Sequence, residues 1–91
     1  MLQRSATRTL TVSNPTGLHA RPSVAIATTV RKYKSKVEIR RGKQVVDGGE
    51  VLQLLTLGAP QGTELTLTAT GPDADDVLDA LEVLFADGFG M

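Results

Sequence analysis

Residues Glu64–Thr70 alternate strictly, with Leu65, Leu67 and Ala69 on one side and Thr66, Thr68 and Thr70 on the other. A period of two predicts a strand with one buried face. Thr7–Val12 repeats the pattern with Leu10 and Val12 inward, and Lys36–Arg40 repeats it with Val37 and Ile39 inward. Arg41-Gly42 then turns the chain into a partner strand around Lys43–Val46. Between these strands the spacing changes. From Ala20 to about Tyr33, apolar residues fall at Ala20, Val24, Ala27, Val30 and Tyr33, with Ile26 beside them, which predicts a helix. Val77, Leu78, Leu81, Leu84 and Phe85 form the clearest amphipathic stripe in the chain and predict another.

Punctuation supports these boundaries. Asn14-Pro15-Thr16-Gly17 is a turn signal, and Asp47-Gly48-Gly49 breaks the third strand. Val51, Leu52, Leu54 and Leu55 then make a short helix, stopped by Gly58 with Pro60 beyond. Gly71-Pro72-Asp73 opens the last helix, placing proline in its first turn and Asp73, Asp75 and Asp76 near its positive end. The resulting order is β-α-β-β-α-β-α. Four strands with one apolar face each, covered by three helices, predict a two-layer α+β sandwich. The expected organisation is a single domain over residues 1–91, with a core at 6–87 and tails at 1–5 and 88–91.

Composition narrows the function classes. The 91 residues contain no cysteine, so neither a disulfide framework nor a Cys-based metal site is expected. A single histidine argues against zinc, which needs several converging ligands. No apolar run approaches the ~18 residues of a membrane span, so a soluble cytoplasmic protein without membrane insertion is expected. The net charge of zero hides an asymmetry. All ten Lys and Arg lie in residues 1–43 beside one acid, Glu38, while the other nine acids lie in residues 44–91. Two readings stand: folding interleaves the halves, or a basic surface faces acidic partners or phosphate. Nucleic-acid binding is disfavoured, because Tyr33 is the only aromatic in the basic half and no reading motif is present.

The candidate chemistry lies in Gly17-Leu18-His19-Ala20-Arg21-Pro22, where a turn meets the first helix. His19 is expected at or beside the N-cap, with Pro22 in the first turn, where its missing N–H removes no intrahelical bond. The backbone N–H groups of Ala20 and Arg21 would then point out of a positive helix end, a ready anion site. The Arg21 guanidinium can pair with phosphate oxygens through two hydrogen bonds. A positive helix end disfavours imidazolium and so keeps a nitrogen lone pair available as nucleophile. No carboxylate pair, general base, metal cluster or nucleotide cradle accompanies it. The segment reads as a phosphoryl relay that needs no cofactor and leaves the rest of the chemistry to partner proteins.

Gly17–Pro22 resembles the signature of the HPr family, the histidine-containing phosphocarriers of the bacterial phosphoenolpyruvate-dependent sugar phosphotransferase system. The likeness continues through Gly42-Lys43, Leu54-Leu55-Thr56-Leu57-Gly58, Gln61-Gly62-Thr63 and Gly71-Pro72-Asp73, over roughly residues 6–87. The resemblance implies an antiparallel sheet of order 1-4-2-3 with all helices on one face. It implies phosphorylation of His19 at Nδ1, with Arg21 balancing the charge. Enzyme I would be the donor, and IIA-type domains or regulatory proteins the acceptors. The protein would be a monomer that works stoichiometrically rather than as an enzyme. Ala20, Val51, Leu52 and Leu55 would form the docking surface, against the simpler reading of the helix-2 residues as core.

Three departures from the family pattern stand out. Glu50 occupies the place of a regulatory serine, so serine-based control is not expected. As a helix N-terminal acid it suits the dipole. The Asp47-Gly48-Gly49 loop is one residue longer than usual. Phe85–Gly90 resembles the tail of HPr-like domains in fused multiphosphoryl-transfer proteins, which fits either such a domain or a specialised phosphorelay, as for fructose or dihydroxyacetone. The alternative function is a regulatory module of the same fold that docks on a transcription factor or enzyme without carrying phosphate. The intact His19 and Arg21 argue against it.

Overall fold

The computed structural model describes residues 4–90. Strands β1 (Ser5–Thr11), β2 (Lys36–Arg41), β3 (Gln44–Asp47) and β4 (Glu64–Thr70) alternate with helices α1 (Ala20–Arg31), α2 (Val51–Thr56) and α3 (Ala74–Ala86) in the order read from the sequence. The strands form one antiparallel sheet of order β1-β4-β2-β3. Inward residues Val37, Ile39, Leu65, Leu67 and Ala69 are fully buried and share one core with α1, α2 and α3. Thr66, Thr68 and Thr70 on the opposite face stay half-exposed. Burying one apolar face of the sheet under helices is the main driving force for such a two-layer fold. No helix among the described residues is long and apolar enough to cross a membrane.

The register of β1 against β4 joins the oppositely charged halves of the chain. Thr7 faces Thr68, and their hydroxyls meet at 3.2 Å on the open face. Arg8 faces Leu67 and therefore points to the covered side. There its guanidinium lies 2.6 Å from Asp79 and 3.1 Å from Glu82 of α3. Arg4 pairs with Asp75 on the same helix. Folding thus interleaves part of the basic and acidic halves, while Lys32, Lys34, Lys36, Arg40 and Lys43 remain exposed.

Two helices depart from the sequence reading. The buried stripe of α1 is Pro22, Ser23, Ile26, Ala27 and Val30. Ala20 and Val24, two of the apolar positions whose spacing predicts the helix, face solvent, with Val24 49% exposed. The helix has two apolar rows, and the sheet lies under the row containing Ile26. The helix also ends at Arg31, so Tyr33 packs on the core from beyond it. In α3, Asp73 is the N-cap and Pro72 precedes it, so the proline lies just outside the first turn, not within it as the sequence reading expects.

Asp73 does not cap its own helix. Its carboxylate accepts from Ser35 Oγ at 2.6 Å, Ser35 N at 2.8 Å and Lys34 N at 2.9 Å, tying the start of α3 to the entry of β2. Gly71 permits this approach, since a Cβ there would lie 2.6 Å from Ser35 Oγ and 2.7 Å from its Cα. The Ser35 hydroxyl, followed by the Lys34 amide, holds the Asp73 carboxyl below its ordinary 3.8. A lowered folded-state value means stability that is present above 3.8 and lost as pH falls through the folded value. Asp73→Asn is expected to lower Tm at neutral pH. In thermal melts across pH, its gap from wild type should shrink as pH drops below 3.8.

Candidate functional site

The loop between β1 and α1 is held by its own turn. The Asn14 carbonyl accepts from Gly17 N at 3.1 Å, and Asn14 Nδ2 donates to the Gly17 carbonyl at 2.8 Å and to Thr16 Oγ1 at 3.2 Å. Asn14 is 1% exposed, so this bracing is internal. Sequence reasoning takes Asn14 only as a turn residue; its burial depends on what packs over it.

Gly17 sets the path into the helix. Its φ is +71°, and a Cβ there would lie 2.5 Å from the Ala59 carbonyl oxygen and 3.0 Å from Pro60 Cα. Only glycine fits both the left-handed backbone and that approach. The same Ala59 carbonyl accepts from Leu18 N at 2.9 Å, while the Leu18 side chain, 4% exposed, enters the core. Leu18 anchors the chain from below, and the next residue is presented at the helix tip.

That residue is His19, the N-cap of α1, with extended backbone (φ −93°, ψ −160°) and no side-chain capping bond. A Ser, Thr, Asp or Asn cap would engage the free amides of the first turn; His19 leaves them open. The His19 carbonyl accepts from Ser23 N at 3.1 Å, closing the first helical bond. Pro22 has no N–H to offer. The amides of Ala20 and Arg21 therefore remain without partners among the described residues, as the sequence reading requires. Two unpaired amides at the positive end of a twelve-residue helix favour an anion.

The imidazole is half-buried. Its Nε2 is sealed from solvent without a hydrogen-bond partner, a condition not found for Nδ1. Arg21 lies two residues on, exposed, in no ion pair among the described residues. Ala20 and Arg21 also line a concavity of about 390 Å³ with Val24, Ala25 and Phe89. Phe89 falls in the segment expected as a tail, yet it packs against the core.

The expected docking residues divide by exposure. Leu52 is 78% and Leu55 37% exposed, whereas Val51 is half-buried against the core. Leu54 is the buried residue of α2, and Leu57 at its C-cap is buried beside it. Ala20 is exposed on α1, which packs beside α2. Glu50 is the N-cap of α2 without a capping bond. Its carboxylate lies 3.6 Å from the Arg31 guanidinium, whose Nε donates to the Gly49 carbonyl at 2.7 Å. Arg31 therefore clamps the start of α2 to the end of α1.

Comparison with known proteins agrees with this geometry. The family described as "PTS HPr component phosphorylation site" matches residues 6–87. The phosphocarrier protein HPr of Cupriavidus necator is 36% identical over 90 residues, covering 99% of this chain and 97% of that protein. A multiphosphoryl transfer protein of Haemophilus influenzae is 35% identical over 82 residues, or 87% of this chain, but the match spans only 16% of that longer protein. The crystal structure of HPr-C-His from Thermoanaerobacter tengcongensis superposes with a TM-score of 0.90 at 30% identity, covering 94% of this chain and 97% of that one. With the fold, the strand order and the match over residues 6–87 in agreement, the chain belongs to the HPr family of phosphocarriers of the phosphotransferase system.

Proposed function

We propose that His19 accepts a phosphoryl group from phosphoenolpyruvate-charged enzyme I through Nδ1 and passes it to IIA-type domains. The observation that carries this reading is the helix tip itself: a nucleophile beside two unpaired amides and one guanidinium. In the forward step the Nδ1 lone pair attacks phosphorus and forms an N–P bond. The bond from phosphorus to the donor breaks, and its electron pair stays with the donor. The arriving group brings about two negative charges, which the Ala20 and Arg21 amides and the Arg21 side chain stabilise. Burial of Nε2 supports Nδ1 as the nitrogen that partners reach. In the reverse sense the same site hands the group on. The chain turns over only with its partners, as a stoichiometric cytoplasmic carrier.

Ala20, Leu52 and Leu55, with Val51 at their margin, are the residues on which donor and acceptor dock. Their exposure supports this role, because burying apolar side chains at a central patch drives transient association. Glu50 stands at the regulatory position without a hydroxyl to modify, and its pairing with Arg31 supports a structural role. Regulatory proteins are further acceptors of the same docking chemistry. Arg21→Glu tests the relay: like charge beside the phosphoryl group should slow both uptake and release about 100-fold. Rapid-quench transfer assays in each direction measure this, and an unchanged rate in both directions would contradict the reading.

A further inference from the structure

Gly88, Phe89 and Gly90 have φ values of +62°, +62° and +75°. Glycines adopt this region freely, but Phe89 is the one non-glycine residue there among those described, and its backbone is strained. Packing holds it in place. Its ring meets Phe85 edge-on, with centroids 4.9 Å apart and planes at 61°. Phe85 is 2% exposed, and its carbonyl accepts from Ser13 Oγ. A Cβ at Gly88 would lie 3.8 Å from both Ser13 Oγ and Asn14 Cβ. The C-terminal turn therefore rests on the loop that leads to His19. Phe89 also faces the helix that follows His19, as one wall of the concavity it lines with Ala20, Arg21, Val24 and Ala25. One strained segment thus lies against the loop before the histidine and across a concavity from the helix after it.

We propose that Phe89 is a positioning residue for phosphoryl transfer. Its ring, seated on Phe85, bounds the space beside Ala20 and Arg21, so the first turn of α1 and the Arg21 side chain keep their setting while phosphate arrives and departs. The proposal rests on the reading of His19 as acceptor and extends it to a residue outside the 6–87 family match. Geometry at a reacting centre is sensitive, since small misplacements of a positioned group cost large factors in rate. Filling the core alone would give a different signature: lost stability with normal transfer.

The test compares Phe89→Ala, Phe89→Gly and Phe89→Leu with wild type, using phosphoenolpyruvate-charged enzyme I as donor. Phe89→Ala and Phe89→Gly should lower kcat for His19 phosphorylation about tenfold with KM changed less than about twofold. Because glycine also relieves the strain at +62°, equal kinetic loss in both variants assigns the effect to the ring. Phe89→Leu, which restores a bulky apolar wall to the concavity, should recover most of the rate. In ¹⁵N spectra of the alanine variant the Ala20 and Arg21 amides should shift while β4 stays unmoved. Wild-type kcat in the alanine and glycine variants, whatever their Tm, would overturn the proposal, as would a loss confined to KM. Those results leave wild-type phosphorylation intact, so they are distinct from a wild-type chain that takes up no phosphoryl group, which would remove the reading of His19 and this proposal together.

Discussion

A His19→Ala chain is expected to take up no phosphoryl group from phosphoenolpyruvate and enzyme I, while wild type gains about 80 Da in an acid-labile, alkali-stable form. The expected loss is complete, because this is the chain's single histidine and no other residue at the helix tip offers an imidazole nitrogen as nucleophile. The fold should survive. His19 makes no side-chain hydrogen bond and is only half-buried, and its backbone bonds to Gly17 O and from Ser23 N do not depend on the ring. Tm should therefore move by only a few degrees, consistent with a small packing change. Intact-mass spectrometry with a parallel thermal melt separates loss of the acceptor from loss of structure. An alanine variant that still accepted the label would place the site elsewhere.

Gly17→Ala should be the most damaging small substitution near the site. The methyl group would enter at φ +71° and 2.5 Å from the Ala59 carbonyl oxygen, an atom already engaged by Leu18 N. Backbone strain and displaced contacts together should cost about 2–4 kcal/mol, lowering Tm by about 10–20 °C for a domain of this size. Function should suffer beyond the stability loss. Relief of the clash must move the Leu18 anchor, and with it the His19 tip, so phosphorylation should slow even where the variant remains folded. Denaturant titration and transfer kinetics at low temperature would show both effects. A Tm within a few degrees of wild type would contradict the packing described for Gly17.

How far the sequence reveals the molecule depends on whether a feature is local. Strand β4 is legible at its boundaries because leucine and threonine alternate without interruption. The helix tip is legible because Gly17 permits a left-handed turn and Pro22 suits a helix only at its first turn, which brackets His19 between them. The buried row of α1 is not. Ala20 and Val24 look as apolar as Ile26, Ala27 and Val30, and a fully buried serine at position 23 runs against composition. Only the position of the sheet decides between the rows. Asp73 is likewise legible as a helix-start acid, but its bonds to Lys34 and Ser35 come from a segment 38 and 39 positions away. Phe89 lies furthest from sequence reach: Gly88-Phe89-Gly90 signals a turn, but neither its strained φ nor its seat beside Arg21 has a local signature.

On the proposal made for His19, Nδ1 of a ring held at an open helix tip receives the phosphoryl group. Nitrogen-15 NMR of the histidine-labelled, phosphorylated protein tests it most directly. Phosphorus coupling is expected at Nδ1, accompanied by the largest amide shifts at Ala20 and Arg21. Phosphorus on Nε2, or Ala20 and Arg21 amides unmoved by phosphorylation, would contradict it.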